Sequence, residues 1–302
     1  MLINVESTLR VGDTLVPLNL MSDGTHLSKF AGNKKQWPAY MIIDNLSSKI
    51  RNLPSTHSIV IVALLPIPIK NPNIPKKRQD EQRQTNREVL NEVLRRVLHR
   101  FTFEQNPTTE SGHYNVLCAD GNFWRCKPVL AAWLADCPEY SDIHYLQRHV
   151  CCWCQCPTNE LGDHVPPDKQ HPWRDHNIYR TLCYANVKAA DAELSSRHVH
   201  PGFNVFQKIP CIVSDLPKPD LLHTTQIGML DHLQQLIFPF MKTHEQLDKY
   251  NAISLSVPAY HDLTRKNKSY EEVSQWKGKE MNEMSRYLLG VVTQSLRGGS
   301  PA

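Results

Sequence analysis

The stretch YNVLCADGNFWRCKPVLAAWLADCPE, residues 114–139, decides the fold. It opens as a short β-like run, turns at Asp120-Gly121, continues as a second apolar stretch and is stopped at Pro138. Asp-Gly is a frequent turn dipeptide, because the Asp side chain bonds its own backbone and Gly accepts positive φ. The apolar stretch ends on Asp136, just before Cys137-Pro138-Glu139. A carboxylate at that point, fixed by a following proline, is where a sheet presents functional groups. A cap for a following helix is the competing explanation.

Toward the N-terminus lie three β-like runs: TLVPLNLM (14–21), WPAYMIIDNLS (37–47) and HSIVIVALLPI (57–67). The first ends in a Ser22-Asp23-Gly24-Thr25 turn, and the polar Asn45–Pro54 stretch separates the other two, as in a three-stranded antiparallel unit. PNIPKKRQDEQRQTN (72–86) then leads into a helix whose later half carries Val89, Leu90, Val93, Leu94, Val97 and Leu98, two i,i+4 rows on one face. The order β-β-β-α-β follows for residues 1–140. From about residue 141 the texture changes to His, Cys, Pro and charge, with short helical stretches at 180–196, 220–238 and 269–296. Residues 141–302 are therefore expected to form a Cys/His-rich, mostly helical module. The closing LRGGSPA contains no final element, so the chain reads as incomplete at its C-terminus.

Composition bounds the rest. The chain has 302 residues and a formal net charge of +4, which tolerates a nucleic-acid partner without requiring one. Its longest apolar run, Ile59–Ile69, is interrupted by Pro66 and Pro68 and falls short of the roughly 20 residues that span a bilayer. MLINVESTLRVGD has no basic segment followed by an apolar one, so no secretory signal is expected. Nine cysteines, an odd number, suit a reducing compartment, where clustered thiols more often mean metal than disulfide. No G-x-S-x-G nucleophile motif appears.

VCCWCQCP (150–157) holds four cysteines. Cys151 and Cys154 form a C-x2-C pair, whose gap lets a tight turn aim both sulfurs at one tetrahedral Zn2+. The two remaining ligands must come from elsewhere: His198 and His200 in RHVH, or His223 and His232 in PDLLHTTQIGMLDHL. Nine positions on a straight helix turn roughly 180°. His223 and His232 can thus share a metal only if the helix starts after His223 or breaks at Gly228. Satisfied polar histidines and free thiols are the plain alternative, and thioredoxin-like redox use is weaker because no βαβ pattern surrounds the pair.

Asp23 and Asp120 each precede glycine and read first as turn residues. A basic cluster, Lys76-Lys77-Arg78 with Arg83, Arg87, Arg95, Arg96 and Arg100, is interleaved with Glu and Asp, so a solvated helix face is at least as good a reading as phosphate contact.

Taken in order, SDGTHLSKFAGNKKQWPAYMIIDNLSSKIRN, VALLPIP, CADGNFWRCKPVLAAWLADCPE, the C-x2-C and PDLLHTTQIGMLDHL resemble the Plavaka-type transposases of fungal mobile elements. These belong to the cut-and-paste DDE transposases. The resemblance implies an RNase H-like catalytic core, beginning with three antiparallel strands, a helix and a further strand, and interrupted by an inserted module where the C-x2-C falls. It maps the first catalytic acid to Asp23 and the second to Asp136, with Asp120 as the alternative second acid. A third acid, usually Glu, comes from a later helix; Glu271, Glu272, Glu280 and Glu283 lie in surroundings that do not match it. Gly24 stands where Lys is common, Cys137 where an aromatic is usual, and Cys152 where Pro is frequent.

The chemistry so implied is phosphodiester cleavage and strand transfer supported by Mg2+ or Mn2+, with structural Zn2+ at Cys151, Cys154, His223 and His232. Double-stranded DNA at transposon ends would be the partner, in the nucleus, and there is room for a homo-oligomer. The other reading is a non-catalytic, zinc-binding transposon remnant that contacts nucleic acid or a protein partner.

Overall fold

Period-two alternation sets the first strand. In β1 (Asp13–Ser22) Leu18, Leu20 and Ser22 turn inward while the residues between them are half-exposed. The structure is a computed structural model and describes residues 9–26, 34–68, 71–101, 113–175, 178–179, 181–182, 188–202, 204–209, 213–220, 222–260, 263, 267–273 and 278–297. A two-residue ladder, β2 (Thr25–His26) with β3 (Lys35–Gln36), precedes β4 (Pro38–Ile43) and β5 (Ile59–Leu64). β1 pairs antiparallel with β4, and β4 antiparallel with β5. The polar connection between β4 and β5 holds one helical turn, Ser48–Arg51, and a 3-10 turn at Pro54–Thr56.

Helix α1 (Lys76–Leu98) follows and lies against the sheet. Of its two apolar rows, Leu90, Leu94 and Leu98 are buried, whereas Val89 is exposed and Val93 and Val97 only flank the core. Spacing of four residues stacks the leucines on one face, and each stabilises the fold by about 1.5–3 kcal/mol through burial. The hairpin β6 (Tyr114–Leu117) and β7 (Phe123–Leu134) comes next; β7 then runs parallel to β1 on the side opposite β4. After α2 (Cys137–Ile143) and α3 (Lys188–Ser196), the short β8 (Pro217–Lys218) joins the C-terminal end of β7, again in parallel. The sheet is thus mixed, in the order β5-β4-β1-β7, with β6 and β8 along the free edge of β7.

Two compact units result, Met1–Lys218 and Pro219–Ala302. The packing boundary differs from the change of composition near residue 141, because Leu146, Cys152, Leu194, Phe206 and Leu216 share one core with Leu20, Trp133 and the α1 leucines. The second unit contains a π-helical segment, Leu222–Met229, running into α4 (Leu230–Thr243), then α5 (Leu247–Ser256), α6 (Gly278–Ser285) and α7 (Leu288–Leu296). Its core joins Phe238, Met241, Tyr250, Met281, Met284 and Leu288. Among the described residues, no helix is long and apolar enough to cross a membrane.

Candidate functional site

The parallel register of β1 and β7 locates the two leading acids. Met21 faces Leu134 in that register, and Asp23 and Asp136 each lie two residues further on. Neighbouring strands are about 4.8 Å apart, so both acids leave the sheet at one end of its central parallel pair. Asp23 is exposed and Asp136 half-buried. Asp136 is also the N-cap of α2: its Oδ1 accepts from the Glu139 amide at 2.7 Å, and Pro138 occupies the first turn. Strand end and helix cap, weighed as alternatives from sequence, are one position.

Glu139 is the residue that sequence reasoning missed. Its Oε2 accepts from the Ser22 hydroxyl at 2.6 Å, and its Oε1 accepts from the Gly24 amide at 2.9 Å. Ser22 in turn accepts from Trp133 Nε1 at 3.0 Å, and Trp133 is fully buried. Burial pushes the Glu139 carboxyl above its ordinary range, the Ser22 hydroxyl, the Trp37 indole and the Gly24 amide oppose this, and the Asp136 charge adds to it. The available signal was the D-x-x-E spacing of Asp136-Cys137-Pro138-Glu139, which reads as a capping box.

Beside this corner, the Tyr140 hydroxyl accepts from the amides of Ala135 at 3.0 Å and Lys218 at 3.1 Å, and lies 2.8 Å from the Trp133 carbonyl. It therefore satisfies backbone groups where β7 and β8 leave the ladder.

Asp120 is at the other end of β7, a 12-residue strand, on the order of 35 Å away at about 3.3 Å per residue. Its Oδ1 accepts from the Asn122 amide at 3.0 Å and its Oδ2 from Trp124 Nε1 at 2.9 Å. It is a turn residue and does not share a site with Asp23. An ion cluster unnoticed in the sequence marks that same end: the buried Asp13 carboxylate meets His113 Nε2 at 2.8 Å and Arg125 Nε at 3.3 Å.

Cys151 and Cys154 form a turn in which the Cys154 amide donates to Cys151 Sγ at 3.4 Å. Burial raises the Cys154 thiol, a hydrogen bond with the Cys156 backbone opposes this, and the neighbouring Cys151 raises it further. The buried Arg174 guanidinium holds this loop, its Nε donating to the Cys151 carbonyl at 2.8 Å. His198 Nδ1 is 3.3 Å from Gln147 Oε1. His200 is held neutral, its pKa lowered to about 4 by burial and by Arg87 and Arg148.

His223 and His232 belong to the second unit. His223 Nδ1 lies 2.6 Å from Asp220 Oδ2, and His232 is exposed on α4. The segment carrying His223 is π-helical, so a straight α-helix does not describe the path to His232. A Cβ on Gly228 would come within 2.6 Å of the His223 carbonyl oxygen, five residues back, which accounts for glycine there.

Among the described residues, no group of three or more His, Cys, Asp or Glu is arranged to hold a metal ion. Among the described residues, Cys151 and Cys154 are therefore not joined by further ligands into a metal-binding group. The donor set of Asp23 and Asp136 does suit Mg2+ or Mn2+, which take one or two carboxylates and fill the remaining positions with water and phosphate oxygens. Of the later acids, Glu271 pairs with Lys242 at 3.7 Å, Glu272 accepts from the Ser269 amide at 2.7 Å, and the buried Glu283 pairs with Lys279 at 3.7 Å.

On α1, Arg83 is bound to Asp80, and both Arg95 and Arg96 to Glu92, whose pKa these contacts lower to about 2. Among the described residues no carboxylate pairs with Lys76, Lys77 or Arg78; the Arg100 side chain lies outside them. A cleft of about 460 Å³ between α1 and the sheet is lined by apolar groups such as Leu18, Leu20, Val62 and Leu98, and offers no acid or base for hydrolytic chemistry.

The family profile described as Plavaka transposase matches residues 2–237, which takes in all of the first unit but Met1, the π-helical segment and the first eight residues of α4. No curated protein matches the chain. With more than three quarters of its length matched and the Asp136-Cys137-Pro138-Glu139 corner inside the match, the chain belongs to the Plavaka transposase family.

Proposed function

We propose that the chain carries the catalytic core of a cut-and-paste DNA transposase of RNase H-like type, with Asp23 and Asp136 as its metal-binding acids. The observation that carries this reading is the parallel register of β1 and β7, whose last pair, Met21 with Leu134, leaves each of these carboxylates two residues further on. The strand order β5-β4-β1-β7, three antiparallel strands followed by a helix and a strand parallel to β1, with β8 parallel to β7 beside β6 on its outer edge, supports the RNase H-like assignment. Mg2+ or Mn2+ bound there would activate the attacking oxygen and stabilise the leaving oxygen of a phosphodiester. Asp23, exposed, is open to both ion and DNA; Asp136 keeps one oxygen on the Glu139 amide and presents the other. Neither serves as a covalent nucleophile.

Among the described residues no third acid joins these two in a metal-binding group, and the chain on its own is therefore proposed not to transfer strands. Double-stranded transposon ends would be the substrate, met in the nucleus and by more than one copy of the protein. Lys76, Lys77 and Arg78 are the cations best placed to meet phosphates, because Arg83, Arg95 and Arg96 already hold carboxylates.

A second reading, a zinc-binding remnant without catalysis, draws support from the Cys151–Cys154 turn with its N–H···S contact. Titration with Mn2+, followed by loss of its free EPR signal, separates the two. The transposase reading expects a site that Asp23→Asn and Asp136→Asn each remove. A wild-type chain that takes up no Mn2+ but retains Zn2+ through Cys151 and Cys154 would favour the remnant.

A further inference from the structure

Glu139 has a placement that helix capping does not explain. In a capping box the acid at the third helical position turns back to the amide of its own N-cap. Glu139 instead crosses to β1, and its two oxygens take donors from the residues on either side of Asp23, the Ser22 hydroxyl at 2.6 Å and the Gly24 amide at 2.9 Å. Its own amide donates to Asp136 Oδ1 at 2.7 Å. One residue thus touches the flanks of one acid and the carboxylate of the other. The Trp133 indole, anchored in the core of β7, completes the network by donating to Ser22 Oγ at 3.0 Å.

The cost of this arrangement argues that it has a purpose. Glu139 is only 9% exposed, and among the described residues no Lys, Arg or His pairs with it. A buried carboxylate without a cation is expensive, and here it also lies near the Asp136 charge. For cohesion alone, an uncharged side chain would hold α2 on the sheet at less expense. The acid is well matched to two donors that arrive from different residues of one loop, which a carboxylate can accept at once and an apolar group cannot.

We propose that Glu139 is a positioning residue. By clamping the Ser22–Gly24 backbone to the first turn of α2, it fixes Asp23 relative to Asp136 and so sets the divalent-ion site. This rests on the reading of those two acids as metal ligands. The role assigned to Glu139 is to position rather than to ligate, since each of its oxygens already accepts from a protein donor.

The test uses the full chain, Mn2+ alone as the probe, and two readouts: EPR titration of Mn2+ affinity, and amide hydrogen exchange over residues 20–26. Glu139→Ala is expected to speed exchange in that segment and weaken Mn2+ binding about 10–100-fold, the usual cost of losing a group that orients a ligand. Glu139→Gln can still accept from the Gly24 amide and reach Ser22 Oγ with its amide, so exchange and affinity should stay close to wild type. Loss in Glu139→Gln as deep as in Asp136→Asn would make Glu139 a ligand and overturn the proposal. Faster exchange in Glu139→Ala with unchanged affinity would reduce it to a structural brace, and unchanged exchange would remove the clamp altogether. Failure of the underlying site is seen separately: Asp23→Asn and Asp136→Asn would then bind Mn2+ like wild type, or wild type would not bind it, and the positioning role falls with the site.

Discussion

Replacing Ser22 by Ala tests whether the corner between β1 and α2 is held as described. The Ser22 hydroxyl makes two contacts inside a closed environment, donating to Glu139 at 2.6 Å and accepting from Trp133 Nε1 at 3.0 Å. Ser22 is 4% exposed, Glu139 9% and Trp133 0%, so water has little access to any of the three. Losing a hydrogen bond to a charged acceptor costs about 1.5–3 kcal/mol, and leaving the buried indole N–H unpaired adds about 1–3 kcal/mol. The Gly24 amide still holds one Glu139 oxygen, which offsets part of this. A net loss of about 2–4 kcal/mol is expected, roughly 4–16 °C in Tm for a unit of this size.

Urea unfolding followed by tryptophan fluorescence is the assay, since Trp37, Trp124, Trp133, Trp153 and Trp173 all belong to the first unit. Ser22→Thr, which keeps the hydroxyl, is the control. In a double-mutant cycle with Trp133→Phe, the pair should couple by about 0.5–3 kcal/mol. A Ser22→Ala loss below about 0.5 kcal/mol, or strict additivity in the cycle, would refute the network.

Asp136→Ala should lose about 1 kcal/mol with the cap of α2, whereas Asp136→Ser, which can still accept from the Glu139 amide, should keep stability within a few tenths of a kcal/mol; both should abolish Mn2+ binding in the EPR titration, separating cap from ligand. For His200, the folded pKa of about 4 lies below the ordinary value of 6.5, so the unfolded chain binds the extra proton first. Stability contributed by the neutral ring is complete above about pH 6.5 and is lost as pH falls toward 4; His200→Asn should flatten that part of a Tm–pH profile. Replacing Lys76, Lys77 and Arg78 by Gln should lower affinity for random duplex DNA and reduce the slope of log K against log salt by about 2–3, if each cation meets one phosphate. Arg95→Gln with Arg96→Gln, which removes partners of Glu92, should change that slope little in the same fluorescence-anisotropy titration.

Local patterning made the main elements legible. Alternation in TLVPLNLM specified β1, and the four-residue spacing of Leu90, Leu94 and Leu98 specified the buried face of α1. Asp136 was readable as the end of an apolar run because it lies two residues beyond β7 and caps α2. What escaped was non-local. Glu139 meets Ser22 and Gly24 across 117 and 115 residues of sequence, and nothing in Asp136-Cys137-Pro138-Glu139 distinguishes that reach from an ordinary capping box. The packing boundary near residue 218 depends likewise on β8 pairing with β7, a two-residue contact that leaves no compositional trace. Asp120 was separable from Asp136 only once the direction of β7 was known, since each flanks the same strand at an opposite end. The π-helical turn before α4 has a sequence mark in Gly228, whose meaning becomes plain when the His223 carbonyl is found beneath it.

The most direct measurement is anomalous diffraction from crystals of the chain soaked in Mn2+. An anomalous peak bonded to carboxylate oxygens of both Asp23 and Asp136, at about the 2.1 Å of an octahedral Mg2+-type site, is the expected result. A peak elsewhere with these two carboxylates bare, or their oxygens too far apart to share an ion, would contradict the assignment of these acids.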